Sequence, residues 1–130
     1  MYILDTDFIF SYFDRNQSTH QQAGDLAEKF AEQAVIISNL VRQELATVIS
    51  CRFGYSLAKE VLENVDLFEP QEIFFDEIET AKIWQIFWSF QKKNISFIDC
   101  SNLFLAQNFN CKIASFDKFY PKEILLSLAA

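Results

Sequence analysis

Tyr2-Ile3-Leu4-Asp5-Thr6-Asp7-Phe8-Ile9-Phe10 opens the chain with three apolar residues, then two acids around a threonine, then a segment rich in aromatics. A short apolar run of this kind reads as a buried strand. An acid that closes the run then sits at the strand's C-terminal end. Two later stretches repeat the arrangement: Phe97-Ile98 precedes Asp99, and Ile113-Ala114-Ser115-Phe116 precedes Asp117. Open α/β folds build their sites at the C-terminal rim of the sheet. Three acids are therefore expected on one rim.

Working outward, strands alternate with helices. Tyr2–Leu4 is the first predicted strand, and Phe8–Phe13 a short helix. Ser18 starts a helix to about Gln33, with Ser18 or Thr19 as N-cap and Gln21 or Gln22 at capping-box distance. Val35-Ile36-Ile37 is a strand, and Ser38 caps a helix through Arg52. A further helix runs from Ser56 to about Asn64. Ile73-Phe74-Phe75 is read as a strand or as the extended entry to a helix. Asp76 with Glu79 gives the capping-box spacing for a long helix to about Lys93. Ile95–Ile98 is a predicted strand, with a helix from about Ser101 to Asn108. Lys112–Ser115 is another strand, Phe119-Tyr120-Pro121 a turn, and Ile124–Leu128 an edge strand or frayed tail. This alternation predicts a single α/β domain over residues 1–130, a parallel sheet covered by helices on both faces.

Composition narrows the function classes. Half of the 130 residues are hydrophobic, with two Gly and two Pro, which argues against disorder or a linker-rich chain. There is no basic region followed by an apolar stretch and a cleavage site at the start. The aromatic stretch Ile83–Phe90 is far too short for a membrane span. A soluble cytoplasmic protein is expected. Cys51, Cys100 and Cys111 form no paired spacing and read as free thiols. With one His and no Cys-x-x-Cys, structural zinc is disfavoured, and a metal-free ribonuclease with paired histidines is excluded. His20 reads as a solvated helix position. The net charge of −7 argues against nucleic-acid binding through a broad basic footprint. Arg42, Arg52, Lys112 and Lys118 remain candidates for a local basic groove.

Glu44 is the fourth acid of interest. On the helix after Ser38, Leu40 and Val48 lie four residues to either side of it, at the margin of the apolar face. A boundary Glu with its head in water is the bland reading. Asp99 reads blandly as a helix N-cap and Asp117 as a turn residue. Asp7 is an N-cap first and a ligand second. Convergence changes the weighing. Two carboxylates about 4 Å apart repel by roughly 4 kcal/mol at an effective dielectric near 20. Gathered acids must therefore hold protons or a cation. Oxygen-only donors favour Mg²⁺ or Mn²⁺.

The stretches YILDTDFIFSYF (2–13), IISNLVRQELATV (36–48) and ISFIDCSNLFLAQNFNCKIASFDKFYP (95–121), in that order, resemble the PIN-domain family, most closely its VapC-like ribonuclease toxins. Residues 56–93 fit only in length and helix pattern. The resemblance implies a compact parallel sheet flanked by helices, with Asp5, Glu44, Asp99 and Asp117 as an acidic quartet. It implies that the acids hold one or two Mg²⁺ or Mn²⁺ ions that activate water for in-line attack on RNA, leaving 5′-phosphate and 3′-hydroxyl ends. Ser115 stands where Thr is often found in the family, and Asp7 where Asn is common. The resemblance further implies an RNA substrate, a small antitoxin partner and a homodimer.

Three rivals are weighed against it. Ile3-Leu4-Asp5-Thr6-Asp7 is similar to the opening of haloacid-dehalogenase-like phosphatases, with Asp5 as nucleophile and Asp7 as acid/base. That family needs a later Lys in a larger fold, and Lys112 is poorly placed. A receiver-like binding module needs adjacent early acids that are missing here. A PIN domain that binds or scaffolds without cleaving keeps the same quartet.

Overall fold

The computed structural model describes residues 1–30 and 33–127. Strands β1 (Tyr2–Leu4), β2 (Val35–Ser38), β3 (Gln71–Ile73) and β4 (Lys112–Ala114) form one sheet in the order β3-β2-β1-β4, all parallel. Among the described residues six helices are interspersed: α1 (Thr6–Phe13), α2 (His20–Ala27), α3 (Asn39–Phe53), α4 (Tyr55–Val65), α5 (Glu77–Phe90) and α6 (Phe97–Phe109). The expected α/β architecture is what the chain adopts. Successive strands step outward from β1 through β2 to β3, and β4 then returns to the other side of β1. The switch point of the sheet therefore lies between β1 and β4.

The central strands β1 and β2 are short and mostly apolar because both of their faces are covered, whereas the edge strand β3 (Gln71-Glu72-Ile73) is partly exposed. Leu4, Val35, Ile37 and Ala114 point into a core shared with Phe8 and Ile9 of α1 and with Val41, Leu45 and Ile49 of α3. Ile3, Ile36 and Ile113 point the other way, onto Leu105 and Ala106 of α6 and Tyr120. This is the period-two alternation of a strand, with apolar partners on each side.

Helix starts follow their caps. Ser38 Oγ accepts from Val41 N–H at 3.1 Å and starts α3. Asp76 and Glu79 form the expected capping box of α5. That helix stops at Phe90, short of Lys93, because Gln91 turns left-handed (φ 50°). Replacing Ser38 by Ala should lower stability by about 1 kcal/mol, read by urea unfolding, because a buried N-cap is lost from the helix that carries Glu44.

Three expectations are corrected. Ile95–Ile98 is not a strand. Asn94 is left-handed (φ 64°), and Ser96 Oγ accepts from Ile98 and Asp99 N–H, which starts α6 at Phe97. The apolar run carries both periods, and the cap decides between them. The helix after Ser18 begins at His20 without a side-chain cap, because Thr19 Oγ1 is paired with Ser11 Oγ at 2.6 Å. It tightens into a 3-10 turn at Glu28–Phe30, and the remainder to Gln33 includes residues outside those described. The C-terminal segment forms a 3-10 turn at Lys122–Ile124 and one parallel bridge between Ile113 and Leu125, while Leu128 lies outside the described residues. Among the described residues, no helix is long and apolar enough to cross a membrane.

Candidate active site

Asp5 follows β1 directly and is the N-cap of α1, accepting from Thr6 N–H at 2.8 Å. Its own N–H donates to Ala114 O at 3.1 Å, which brings the end of β1 beside Ser115 at the end of β4. The side chain is only 4% exposed. Asn102 Nδ2 donates to one carboxyl oxygen at 3.0 Å, and Ser115 Oγ (2.8 Å) and Tyr120 OH (3.2 Å) donate to the other. Burial raises the Asp5 pKa, opposed by the bonds from Ser115, Thr6 and Tyr120, with a further push from the Asp117 charge.

The other acids gather around it. Asp99 lies in the first turn of α6, and Tyr120 OH reaches its carboxyl at 3.2 Å. Burial first, then the charges of Asp5, Asp117 and Glu44, push Asp99 up to about 8 against the Tyr120 bond. Glu44 on α3 is half-buried, and its pKa is raised by burial and by Asp5. The Thr6 hydroxyl lies close enough to Glu44 to oppose that rise, yet outside regular hydrogen-bond geometry, so Thr6 Oγ1 has no ordinary partner. Asp117 follows β4 and accepts from Phe119 N–H at 2.9 Å, which makes it a turn residue as well. All four line one cleft of about 230 Å³, together with Asp7.

Asp7 is not a cap, because Asp5 holds that position. It sits in the first turn of α1 and reaches back to β4, accepting from Phe116 N–H at 3.2–3.3 Å and lying 3.1 Å from Ser115 Oγ. Burial and the Asp5 charge push it up to about 7, opposed by Ser115 and Phe116. Ser115 has one hydrogen and cannot donate to both acids. It donates to Asp5 and accepts from Asp117 N–H (3.0 Å), which leaves a lone pair for a proton carried by Asp7. Tyr120 poses the same count between Asp5 and Asp99 while accepting from Asn102 at 3.2 Å. A proton on Asp99 completes it. Removing this hydroxyl (Tyr120→Phe) should lower stability by about 1–3 kcal/mol in denaturant unfolding, because Asn102, Asp5 and Asp99 each lose a buried hydrogen-bond partner.

Sequence reading missed Asn102 and the tie made by Tyr120. The signal for Asn102 is its spacing of three from Asp99, which puts both on one helix face. Starting the helix at Ser101 hides that relation. Other expectations also shift. Among the residues lining the cleft, Arg52 carries the only positive charge. Arg42 is held by Glu72 and, at 3.0 Å, by Asp66, and Lys112 starts β4 at the opposite rim. His20 is not solvated: it is half-buried and its Nδ1 donates to Ser11 O at 2.8 Å. Cys100 is buried, and burial with the Asp99 charge pushes its thiol up to about 11, so it is no nucleophile.

Residues 2–122 match the sequence profile of the PIN domain. The chain belongs to the PIN domain family. Among solved structures it is similar to Mycobacterium tuberculosis VapC20, described as a sarcin–ricin loop cleaving toxin, with 16% identity over 92% of each chain and a TM-score of 0.79. It is also similar to VapBC2 from Rickettsia felis, solved bound to a DNA fragment from the promoter of that pair, with 17% identity, 95% of this chain and 92% of the other covered, and a TM-score of 0.69. A comparison with curated protein sequences finds no match. PIN membership removes the phosphatase and receiver readings.

The residues fit a hard divalent cation. Among the described residues, no three carboxyls are drawn together as a finished cation cage. The PIN cleft nonetheless offers oxygen donors only, from acids that burial and mutual repulsion have pushed toward neutrality. None of these acids forms an ion pair among the described residues. A cation of the Mg²⁺ kind keeps several waters and needs only one or two carboxylates.

Proposed function

We propose that this PIN domain is a Mg²⁺- or Mn²⁺-dependent endoribonuclease and the toxin of a toxin–antitoxin pair, with residues 1–130 forming one nuclease domain. The observation that carries the reading is that Asp5, Glu44, Asp99 and Asp117, from four separate segments, line one cleft at the switch point of the sheet. In support stand the PIN membership and the described nature of two similar structures, one an RNA-loop-cleaving toxin and the other a toxin with its partner.

Asp5, Asp99 and Asp117 are the residues assigned to hold the cation, with Glu44 completing the shell directly or through water. When bound, the cation lowers the pKa of a water and offsets charge on the phosphate. Ser115, Asn102 and Tyr120 hold Asp5 in one orientation by three side-chain hydrogen bonds. Asp7 adds a fifth carboxyl and stores a proton near neutral pH. In-line attack would leave 5′-phosphate and 3′-hydroxyl ends. The proposed partners are RNA as substrate, a small antitoxin that covers the cleft with a basic side chain, and a second copy in a homodimer. The site in the cytoplasm belongs to the same reading.

The test is cleavage of a mixed cellular RNA pool by partner-free protein with Mg²⁺, with Mn²⁺ and with EDTA. Cation-dependent cuts bearing 5′-phosphate are the expected result. Folded protein that binds Mn²⁺ and cuts nothing would move the assignment to a non-catalytic PIN domain.

A further inference from the structure

Helix α5 has two apolar sides, and only one is buried. Ile83 is enclosed with Cys100 and Phe104, and Phe87 and Phe90 pack against that cluster. Trp84 and Trp88, one turn apart, are 43% and 66% exposed. Their rings lie nearly parallel, 5.8 Å apart and 19° between planes. Trp84 continues onto the ring of Phe97 at 4.4 Å. Phe97 is the first residue of α6, two before Asp99, so the two side chains leave the helix on different sides and the row of rings lies on the face away from the acidic cleft. At the other end, Lys92 and Lys93 are exposed beside a depression of about 460 Å³ that contains Trp88 and Gln91 and no acid.

From this geometry we infer that the Trp84–Trp88–Phe97 face binds single-stranded bases of the RNA, while Lys92 and Lys93 take phosphates. The inference rests on the nuclease reading for its substrate. A protein of net charge −7 cannot hold RNA by a broad basic surface. Aromatic faces supply affinity of another kind, because every base has a π-face that stacks regardless of sequence. Flat parallel indoles and two neighbouring lysines match what a strand of nucleotides presents: base faces and phosphates.

The chain has two tryptophans, and both are in this face, so intrinsic fluorescence reports on it directly. Protein in EDTA is titrated with short single-stranded oligoadenylate, with affinity also read from the anisotropy of labelled RNA. Saturable quenching is expected. Trp88→Ala should weaken binding by about tenfold, the scale of one lost base stack, and Trp88→Tyr should keep most of it. Trp88 is mostly solvent-exposed, so both variants should fold, which circular dichroism checks. Lys92→Ala with Lys93→Ala should flatten the salt dependence of binding.

Absence of quenching, or equal affinity in Trp88→Ala, overturns the inference. If RNA does not quench but Trp88→Ala converts a dimer to a monomer in sedimentation, the face is an interface between copies, which also overturns it. Because EDTA removes cleavage from the readout, quenching without cutting under Mg²⁺ or Mn²⁺ upholds the platform while the nuclease reading fails.

Discussion

Asp5→Asn is expected to reduce metal-dependent RNA cleavage by about 10³-fold or more while leaving the fold in place. The size follows from the several kcal/mol that a bound cation supplies to a phosphodiester transition state, at about 1.4 kcal/mol per factor of ten. Retention of the fold follows from the hydrogen bonds. The Asn carbonyl oxygen keeps the Thr6 and Asn102 donors of Asp5 Oδ1. The amide nitrogen replaces Oδ2 and faces Ser115 and Tyr120, whose hydroxyls can turn to accept. Shape and partners survive, and one negative charge at the centre of the cleft is lost. Cleavage is compared at equal protein, with circular dichroism and thermal melting as controls. Cleavage equal to wild type from a folded Asp5→Asn protein refutes the assigned site.

Stability without a divalent cation should fall as pH rises, the reverse of the usual acid-denaturation limb. Folding pushes Asp7 up to about 7 and Asp99 up to about 8, and raises Asp5 and Glu44 as well. Below about pH 4 these acids are protonated in folded and unfolded chains alike, and no difference arises. Between about pH 4 and 8 the folded chain binds more protons than the unfolded one, so stability declines with pH. Above about 8 Asp7 and Asp99 are ionised in both states and their full penalty is present. Asp99 and Glu44 are partly exposed and solvent screens their share. A total of a few kcal/mol is expected, or roughly 5–10 °C in Tm between about pH 5.5 and 8.5. Mn²⁺ or Mg²⁺ should restore Tm most at the alkaline end, because binding displaces the protons. Asp7→Asn should flatten the curve, since the amide keeps the Phe116 contact without a proton to lose. Tm values in EDTA that climb between these pH values would contradict the shared-proton arrangement.

Much of the fold is legible because its signals are local. Val35-Ile36-Ile37 closes with Ser38, which caps the next helix through a partner three residues on. Asp76 and Glu79 cap each other within one turn. Patterns of this kind are complete within a few residues and need no knowledge of the rest of the chain. Ile95–Ile98 fails as a strand for the same local reason: Ser96 outcompetes an apolar run that suits either period. Aromatic residues on α5 are legible as apolar, but not as exposed, since that depends on which side α6 covers.

The sequence by itself determined the α/β alternation and the parallel sheet, and it marked Asp5, Asp99 and Asp117 as acids that close apolar runs, with Glu44 at the margin of a helix's apolar face. The tertiary structure alone decided how those acids meet. Asp5 is tied to Asn102, Ser115 and Tyr120 by bonds spanning 97 to 115 residues, and these exist because β4 pairs with β1 in register, Leu4 beside Ala114. Strand order fixes such contacts, and strand order is set by packing both sheet faces at once, which no single stretch of chain encodes. The raised pKa values have the same origin, since burial and neighbouring charge arise only when the four segments converge.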